Sequence, residues 1–349
     1  MGYNRINTPR VYTDLISQSL SNGWRDLDDI TMLQDDGSTP VSFDSGTEAD
    51  LYDLRPANSV KIAKENQSFY IQFNTGLGTN ELAESNYLAI LNHNFHSADV
   101  VFTVEIDDNA SMSSATKVST TANHTKLINA DANNTAGEID PANNGWTLIT
   151  WNTQESDNQY VRITFSDDSG ADQNFNNDIY IGSIMYGEFF EFPNAPEIGV
   201  TTKIDYDGIK LNKSLGGNSY ATATNFGQPE WASTLAWNNT SLDNTNLWTF
   251  NKRTGRMNHS IKFNYLSDTD VWSNNPSSIT TSEWFDTLTA HNSFYNKVIG
   301  QFHPFLFSID KDSTTEGDYG MFRLKDKSFK ATQVSDRLWS IAFNIVETW

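Results

Sequence analysis

The 349-residue chain contains no cysteine, which excludes a disulfide framework and any thiolate zinc site, so packing alone must hold the fold. Positive charge is scarce: 23 lysines and arginines stand against 44 aspartates and glutamates, for a formal net charge of −21. Nowhere do the cations gather into a stripe that could neutralise phosphates, and nucleic acid is not an expected partner. The same charge would repel anionic lipid, which leaves cations and other proteins as the favoured partners. Long apolar runs are missing as well. No stretch approaches the ~18 residues that suggest a membrane span, and MGYNRINTPRVYTD lacks an apolar core of signal-peptide length. Gly2 does not open a myristoylation motif, because Ile6 stands where Ser or Thr is required. Neither membrane insertion nor a routing signal is expected.

What is present points to β structure. Aromatics make up 13% of the chain and charged residues only 19%, while Asn, Thr, Ser and Asp crowd the segments between apolar runs, as in short strands joined by polar turns. SFYIQF sends Phe69, Ile71 and Phe73 one way, VVFTVEI sends Val100, Phe102, Val104 and Ile106 one way, and QYVRITF does the same with Val161, Ile163 and Phe165. Long polar loops between them suit a sandwich or jelly roll. Residues 8–24 carry Val11, Leu15, Ile16 and Leu20 near helical spacing, which fits a short helix or an ordered arm. The stretch EFPNAPEIG, 191–199, is the natural boundary, and the pattern restarts beyond it with SIKFNYL, where Ile261, Phe263 and Tyr265 share a face. Thr280 and Glu283 stand at capping-box spacing, and Trp284, Leu288, Tyr295 and Val298 follow as an approximate helical stripe ending before Gly300. The expectation is a mostly β chain: an arm with a short helix over 1–45, a β-sandwich over 46–192, a linker over 193–200, and a β-rich α+β domain with one clear helix over 201–349.

Each chemical motif has a plainer reading beside it. NHNFH puts His93 and His96 three apart, but no Glu lies between them and the flanks read as turn then strand, so it is not the helical zinc motif. Asp44-Ser45-Gly46 and Asp168-Ser169-Gly170 carry the Asp-Ser-Gly of aspartic proteases. Turn chemistry explains both, since the second copy has no apolar strand before it. IDKDSTTEGDYG offers Asp310, Asp312, Glu316 and Asp318 as oxygen ligands, yet Thr315 occupies the place where a calcium loop needs glycine. No cofactor is expected; calcium is the ion these acidic loops would take. Trp231, Trp237 and Trp248 lie in a polar stretch, where indoles could stack on sugar rings, anchor an interface, or pack on their own sheet. No phosphate-cradling loop, Gly-x-Ser-x-Gly elbow or dinucleotide fingerprint occurs. No enzyme is expected.

YLAILNHNFHSADVVFTV resembles the segment leading into a strand in galactose-binding-like β-sandwich domains of tailed-bacteriophage structural proteins. YVRITFSD, followed by DIYIGSIMYGEFFEFPNAPEIG, resembles the ending of the same domains. FHPFLFSIDKD, YGMFRLKDKSF and LWSIAFNIVETW are similar to the closing strands of phage distal-tail, minor-tail and baseplate proteins. The resemblance implies a virion structural protein made in the host cytoplasm, forming or decorating the tail-end ring and joining tail to fibres or baseplate. Copies of itself and other tail proteins would be its partners. The alternative is a module binding host-surface glycan, with His93, Asn94 and His96 as candidate ligand residues; a glycan hydrolase ranks below it. Arg5, Arg10 and the three tryptophans are the candidate interface residues, with the arm MGYNRINTPR reaching a neighbouring acidic copy and LWSIAFNIVETW pairing within its own domain.

Overall fold

The alternating segments become antiparallel strands in the computed structural model, which describes residues 7–66, 68–76, 86–133, 136–152, 159–168, 175–206, 209–223, 256–273 and 288–348. In chain order the first strands are β1 (Arg10–Asp14), β2 (Ile30–Gln34), β3 (Phe43–Ser45), β4 (Val60–Ile62), β5 (Phe69–Asn74), β6 (Tyr87–His93) and β7 (Val100–Asp107). Next come β8 (Thr116–Lys117), β9 (His124–Ile128), β10 (Ala130–Asn133), β11 (Glu138–Pro141), β12 (Gly145–Trp151), β13 (Tyr160–Asp167), β14 (Ile179–Ile181) and β15 (Ser183–Glu191). The remainder are β16 (Thr201–Asp205), β17 (Ile209–Lys213), β18 (Ser219–Ala223), β19 (Arg256–Ser267), β20 (Phe305–Ser308), β21 (Tyr319–Leu324), β22 (Ala331–Ser335) and β23 (Leu338–Glu347). Among the described residues helical pieces are few and short: α1 (Leu15–Ser21), α2 (Phe95–Ala98), α3 (Asp268–Val271), 3-10 turns at Leu27–Asp29, Glu48–Tyr52 and Glu316–Asp318, and a π-helical turn at Ala290–Asn296. The chain is mostly β.

One eleven-stranded sheet runs through most of it, in the order β16-β19-β23-β21-β20-β1-β15-β6-β12-β9, with β22 added on β23. A seven-stranded sheet, β10-β11-β7-β13-β5-β2 with β8 on β7, faces one end of it. The alternating apolar residues of β5, β7 and β13 meet Leu88, Ile90, Ile149, Trp151, Ile184 and Tyr186 of the larger sheet in one core, which is the sandwich. YLAIL and GWTLITW do not alternate, and for a physical reason: Tyr87, Ala89, Leu91, Trp146 and Leu148 fill a second core on the opposite face of the same strands. That second core exists because the sheet curls. Trp146 on β12 and Tyr319 on β21 lie five strands apart, about 24 Å in a flat sheet, yet their ring centroids are 5.6 Å apart. Lys126 of β9 completes the roll, donating to the carbonyls of Lys311 and Ser313 and to the Tyr319 hydroxyl.

Several expectations are corrected here. The expected short helix is present as α1, but residues 10–45 are not a free arm: β1 lies in the middle of the large sheet, α1 packs into the sandwich core, and β2 is an edge of the smaller sheet. The apolar spacing of Val11, Leu15, Ile16 and Leu20 belongs to a strand followed by a two-turn helix, with Asp14 capping Ser17 between them. Of the expected long helix, residues 280–287 lie outside the described residues. Leu288 precedes the described helical part and is exposed, whereas Tyr295 and Val298 are buried. Thr289 caps that turn through the Asn292 N–H, so the "one clear helix" is, where described, a seven-residue π-helical turn. The turn ends at Asn296 with Lys297 as its cap, short of the expected stop at Gly300, which takes φ +60° in the turn beyond. In β19 a bulge between Phe263 and Leu266 turns Tyr265 outward and gives its place in the core to Leu266. The C-terminal strand β23 is paired on both sides, with β19 on one and β21 and β22 on the other.

β1 joins the two ends of the large sheet, pairing with β15 along all five residues and with β20 along three. All five side chains are buried: Val11 goes to the third core, with Phe192, Phe263 and Phe343, and Tyr12 to the curl. A buried ion pair ties the same regions together a second way, from Glu188 on β15 to Lys297 just after the π-helical turn. Gly187 marks the closest approach, since a Cβ there would lie 2.3 Å from the Thr13 carbonyl oxygen. Gly187→Ala should therefore force β1 off β15 and cost about 1–3 kcal/mol, the usual penalty of overpacking. Urea unfolding of the variant against the native chain measures it; an unchanged midpoint would mean β1 is not held this tightly.

Candidate functional site

A cleft of about 490 Å³ lies beside β1, where the sandwich meets the turn carrying α3. One wall comes from β15 and its neighbours: Phe189, Glu191, Asn86, Trp151 and Thr125, with Arg10 of β1. The other comes from Asp270 and Leu288. Each side chain is placed by the sheet register. The Arg10 guanidinium lies 3.9 Å from the Phe189 ring centre and pairs with Glu191, and Phe189 meets Tyr12 edge-on at 5.8 Å. Asn86 holds the β15 backbone by accepting from the Phe189 N–H at 3.2 Å, and the Thr125 and Thr150 hydroxyls share a 2.8 Å hydrogen bond.

Both carboxylates of the cleft are already engaged. Glu191 faces Arg10 and Lys311, and Asp270 accepts from the Ser267 N–H and hydroxyl in a capping box. An acid–base pair for hydrolysis needs two carboxyls flanking a bond, one of them able to carry a proton. The cleft instead mixes amides, hydroxyls and aromatic surface, a lining suited to recognising a polar, hydroxylated ligand.

The NHNFH residues do not converge on a site. His93 is buried, its ring stacked on Phe95 at 4.2 Å, with Nε2 3.0 Å from the Thr147 hydroxyl and Nδ1 accepting from the Phe95 N–H. Asn94 spends its side chain tying the turn to β14, donating to the Asp178 carbonyl and accepting from the Tyr180 N–H, both at 2.8 Å. Only His96 is exposed. The segment is a lead-in turn to β7, with α2 ended by Asp99 in the left-handed region. The expected ligand role of His93 and Asn94 is corrected accordingly.

The remaining candidates also separate. Arg10 is turned inward, paired with Glu191 on the wall of the cleft. Arg5, Trp231, Trp237 and Trp248 lie outside the described residues. Asp44 is exposed and pairs with Lys61 at 3.0 Å. Asp310 accepts from the Asp312 N–H and Asp318 from the Ser313 hydroxyl. Among the described residues no three His, Asp or Glu side chains are grouped to hold a metal ion.

One feature escaped the expectations altogether. Among the described residues β17 and β18 pair only with each other, and their side chains from Ile209 to Thr222 stand exposed, Leu211 to 75%. The signal was legible: IKLNK and SYATA flank a Gly-Gly turn in which Gly217 takes φ +82°.

No protein-family model matches the chain, and no curated protein matches it. Among solved structures it is similar to a selenomethionine-labelled mutant of chitosan-binding module 1, from a chitosanase/glucanase of Paenibacillus sp. IK-5. That likeness has 12% identity and a TM-score of 0.29, over 50% of this chain and 98% of that one. A second structure of the same module gives 12% and 0.29, over 45% of this chain and 92% of that one.

Burial sets the acid response. It pushes the His93 pKa from 6.5 down to about 3, and its Nδ1 already accepts a backbone N–H, so a proton there would meet a donor. The unfolded chain thus binds this proton first, and stability is lost as the pH falls below about 6.5. At pH 5 the loss from His93 alone should be about 2 kcal/mol relative to pH 7. Asp14 acts oppositely: burial raises it to about 6, so its contribution is greatest below about pH 4 and declines as the pH rises through 6. His93→Gln isolates the histidine. Its unfolding free energy should fall less between pH 7 and 5 than that of the native chain, and parallel curves would refute the assignment.

Proposed function

We propose that the chain is a non-catalytic structural subunit of a phage virion, sited at the tail end, where it forms or decorates a ring and joins tail to fibres or baseplate. The hairpin β17–β18 is the observation that carries this reading. A two-stranded ribbon is marginal in water by itself, yet this one presents Ile209, Leu211 and Leu215 to solvent. Fully burying an apolar side chain of this size contributes ~1.5–3 kcal/mol, so a partner surface would stabilise the ribbon where the other described residues do not. The closing segments similar to those of phage tail proteins support the same reading. The engaged state of both cleft carboxylates supports a part without chemistry.

The cleft beside β1 favours a second reading, a site for host-surface glycan. Its aromatic rings, amides and hydroxyls match the alternating apolar and polar faces of a sugar ring. Two measurements separate the readings. Electron microscopy of the particle should find the chain at the tail end, and sedimentation of the purified chain should show assemblies; a monomer absent from the tail would remove the first reading. A glycan array blank both with and without calcium would remove the second.

A further inference from the structure

Both faces of the hairpin are exposed, and each carries one cation. Residues 209–223, IKLNKSLGGNSYATA, hold Lys210 and Lys213 and no acidic residue, in a chain whose acids outnumber its bases by 44 to 23. Strand alternation divides them: Ile209, Leu211 and Lys213 share one side of the ribbon, opposite Ala221 and Ser219, while Lys210 and Tyr220 lie on the other. One side therefore offers two branched apolar side chains and a single cation in a row.

The complementary surface is on the same molecule. In the turn WRDLDD, 24–29, Trp24 is 49% exposed and Leu27 38%, with Asp26 and Asp28 exposed beside them. Arg25 does not neutralise this patch outward, because its Nε donates to the Thr75 carbonyl at 2.9 Å and its Nη1 pairs with Asp29. A capping box from Asp26 to Asp29 fixes the turn and with it the placement of Leu27 and Asp28. Both surfaces are exposed at once in a single chain, so neither covers the other.

We propose that the hairpin of one copy docks on the 24–29 turn of the next copy, Ile209 and Leu211 against Trp24 and Leu27, and Lys213 against Asp26 and Asp28. The inference rests on the assembly reading and names its contact. Different patches meet, so the contact is head-to-tail, the kind that closes into a ring when the rotation allows. It takes over the electrostatic role first expected of the N-terminal arm, and it weakens with salt over the ~8–10 Å screening length near physiological ionic strength.

A charge-reversal cycle on the full chain, followed by sedimentation velocity, tests it. Lys213→Glu and Asp28→Lys should each weaken assembly at least tenfold, and the two together should restore it to within about threefold of the native chain. Tyr220→Ser, on the opposite side of the ribbon, should leave assembly unchanged. Both reversed residues are exposed, and thermal midpoints report whether each variant is folded. If the native chain assembles but the single reversals assemble equally well, or the double variant is not rescued, this contact is wrong while the assembly reading stands. If the native chain remains a monomer at every concentration, both fail.

Discussion

Five residues near the start of the described chain, β1, decide the architecture. Without them the large sheet would be two sheets, each ending in an open edge at β15 or β20, and an open edge is a template for wrong pairing. With them the backbone hydrogen bonding runs unbroken from β9 to β16. The side chains of β1 then set what lies on each face. Val11 enters the core of the C-terminal half, Tyr12 enters the curl, and Asp14 closes the strand by capping α1 while accepting from the Tyr186 N–H. The cost of that last arrangement is a carboxylate buried away from water, which shows as a raised pKa.

The curl and the cleft follow from the same strand. A twisted sheet of this width must bend or split, and here it bends until β12 meets β21 and Lys126 reaches the loop after β20. Lys126 is drained of some basicity by burial and by the nearby Arg10 charge, its pKa falling to about 8. On the flank of the bend, Arg10 stays against Phe189 and Glu191, and the space beyond them is the cleft. The buried pair of Glu188 and Lys297 holds the π-helical turn against this strand. Such a pair gives less stability than its closeness suggests, because two ions leave water, but losing one partner would strand the other.

Much of the sandwich was legible in the sequence because burial on one face writes a period of two. Phe69, Ile71 and Phe73, like Val161, Ile163 and Phe165, are where alternation puts them. Strands buried on both faces carry no such period, and the curl built from YLAIL and GWTLITW was invisible for that reason. β1 was missed because five residues between a proline and a helix are too few for a pattern, and the partners that make them a strand lie about 180 and 300 residues away in sequence. Tyr265 was misplaced by a bulge, which shifts alternation by one without any local marker. Of the site, the turn chemistry of NHNFH was readable. The inward set of Arg10 was not, since its partner Glu191 is brought to it only by the register of β15.

The order in which this chain leaves the ribosome runs against the order in which it can pair. β1 emerges early, but β15 follows some 170 residues later and β20 nearly 300 residues later. At the usual pace of synthesis, roughly 15–60 s pass between the first strand and its second partner. Through that interval β1 can gain one neighbour but not the other, and a half-finished sheet stands with its middle strand as a bare margin. Nascent chains on neighbouring ribosomes of one message would present the same margin to each other. The central strand that unifies the finished molecule is thus one that must wait, half-paired, for its second partner.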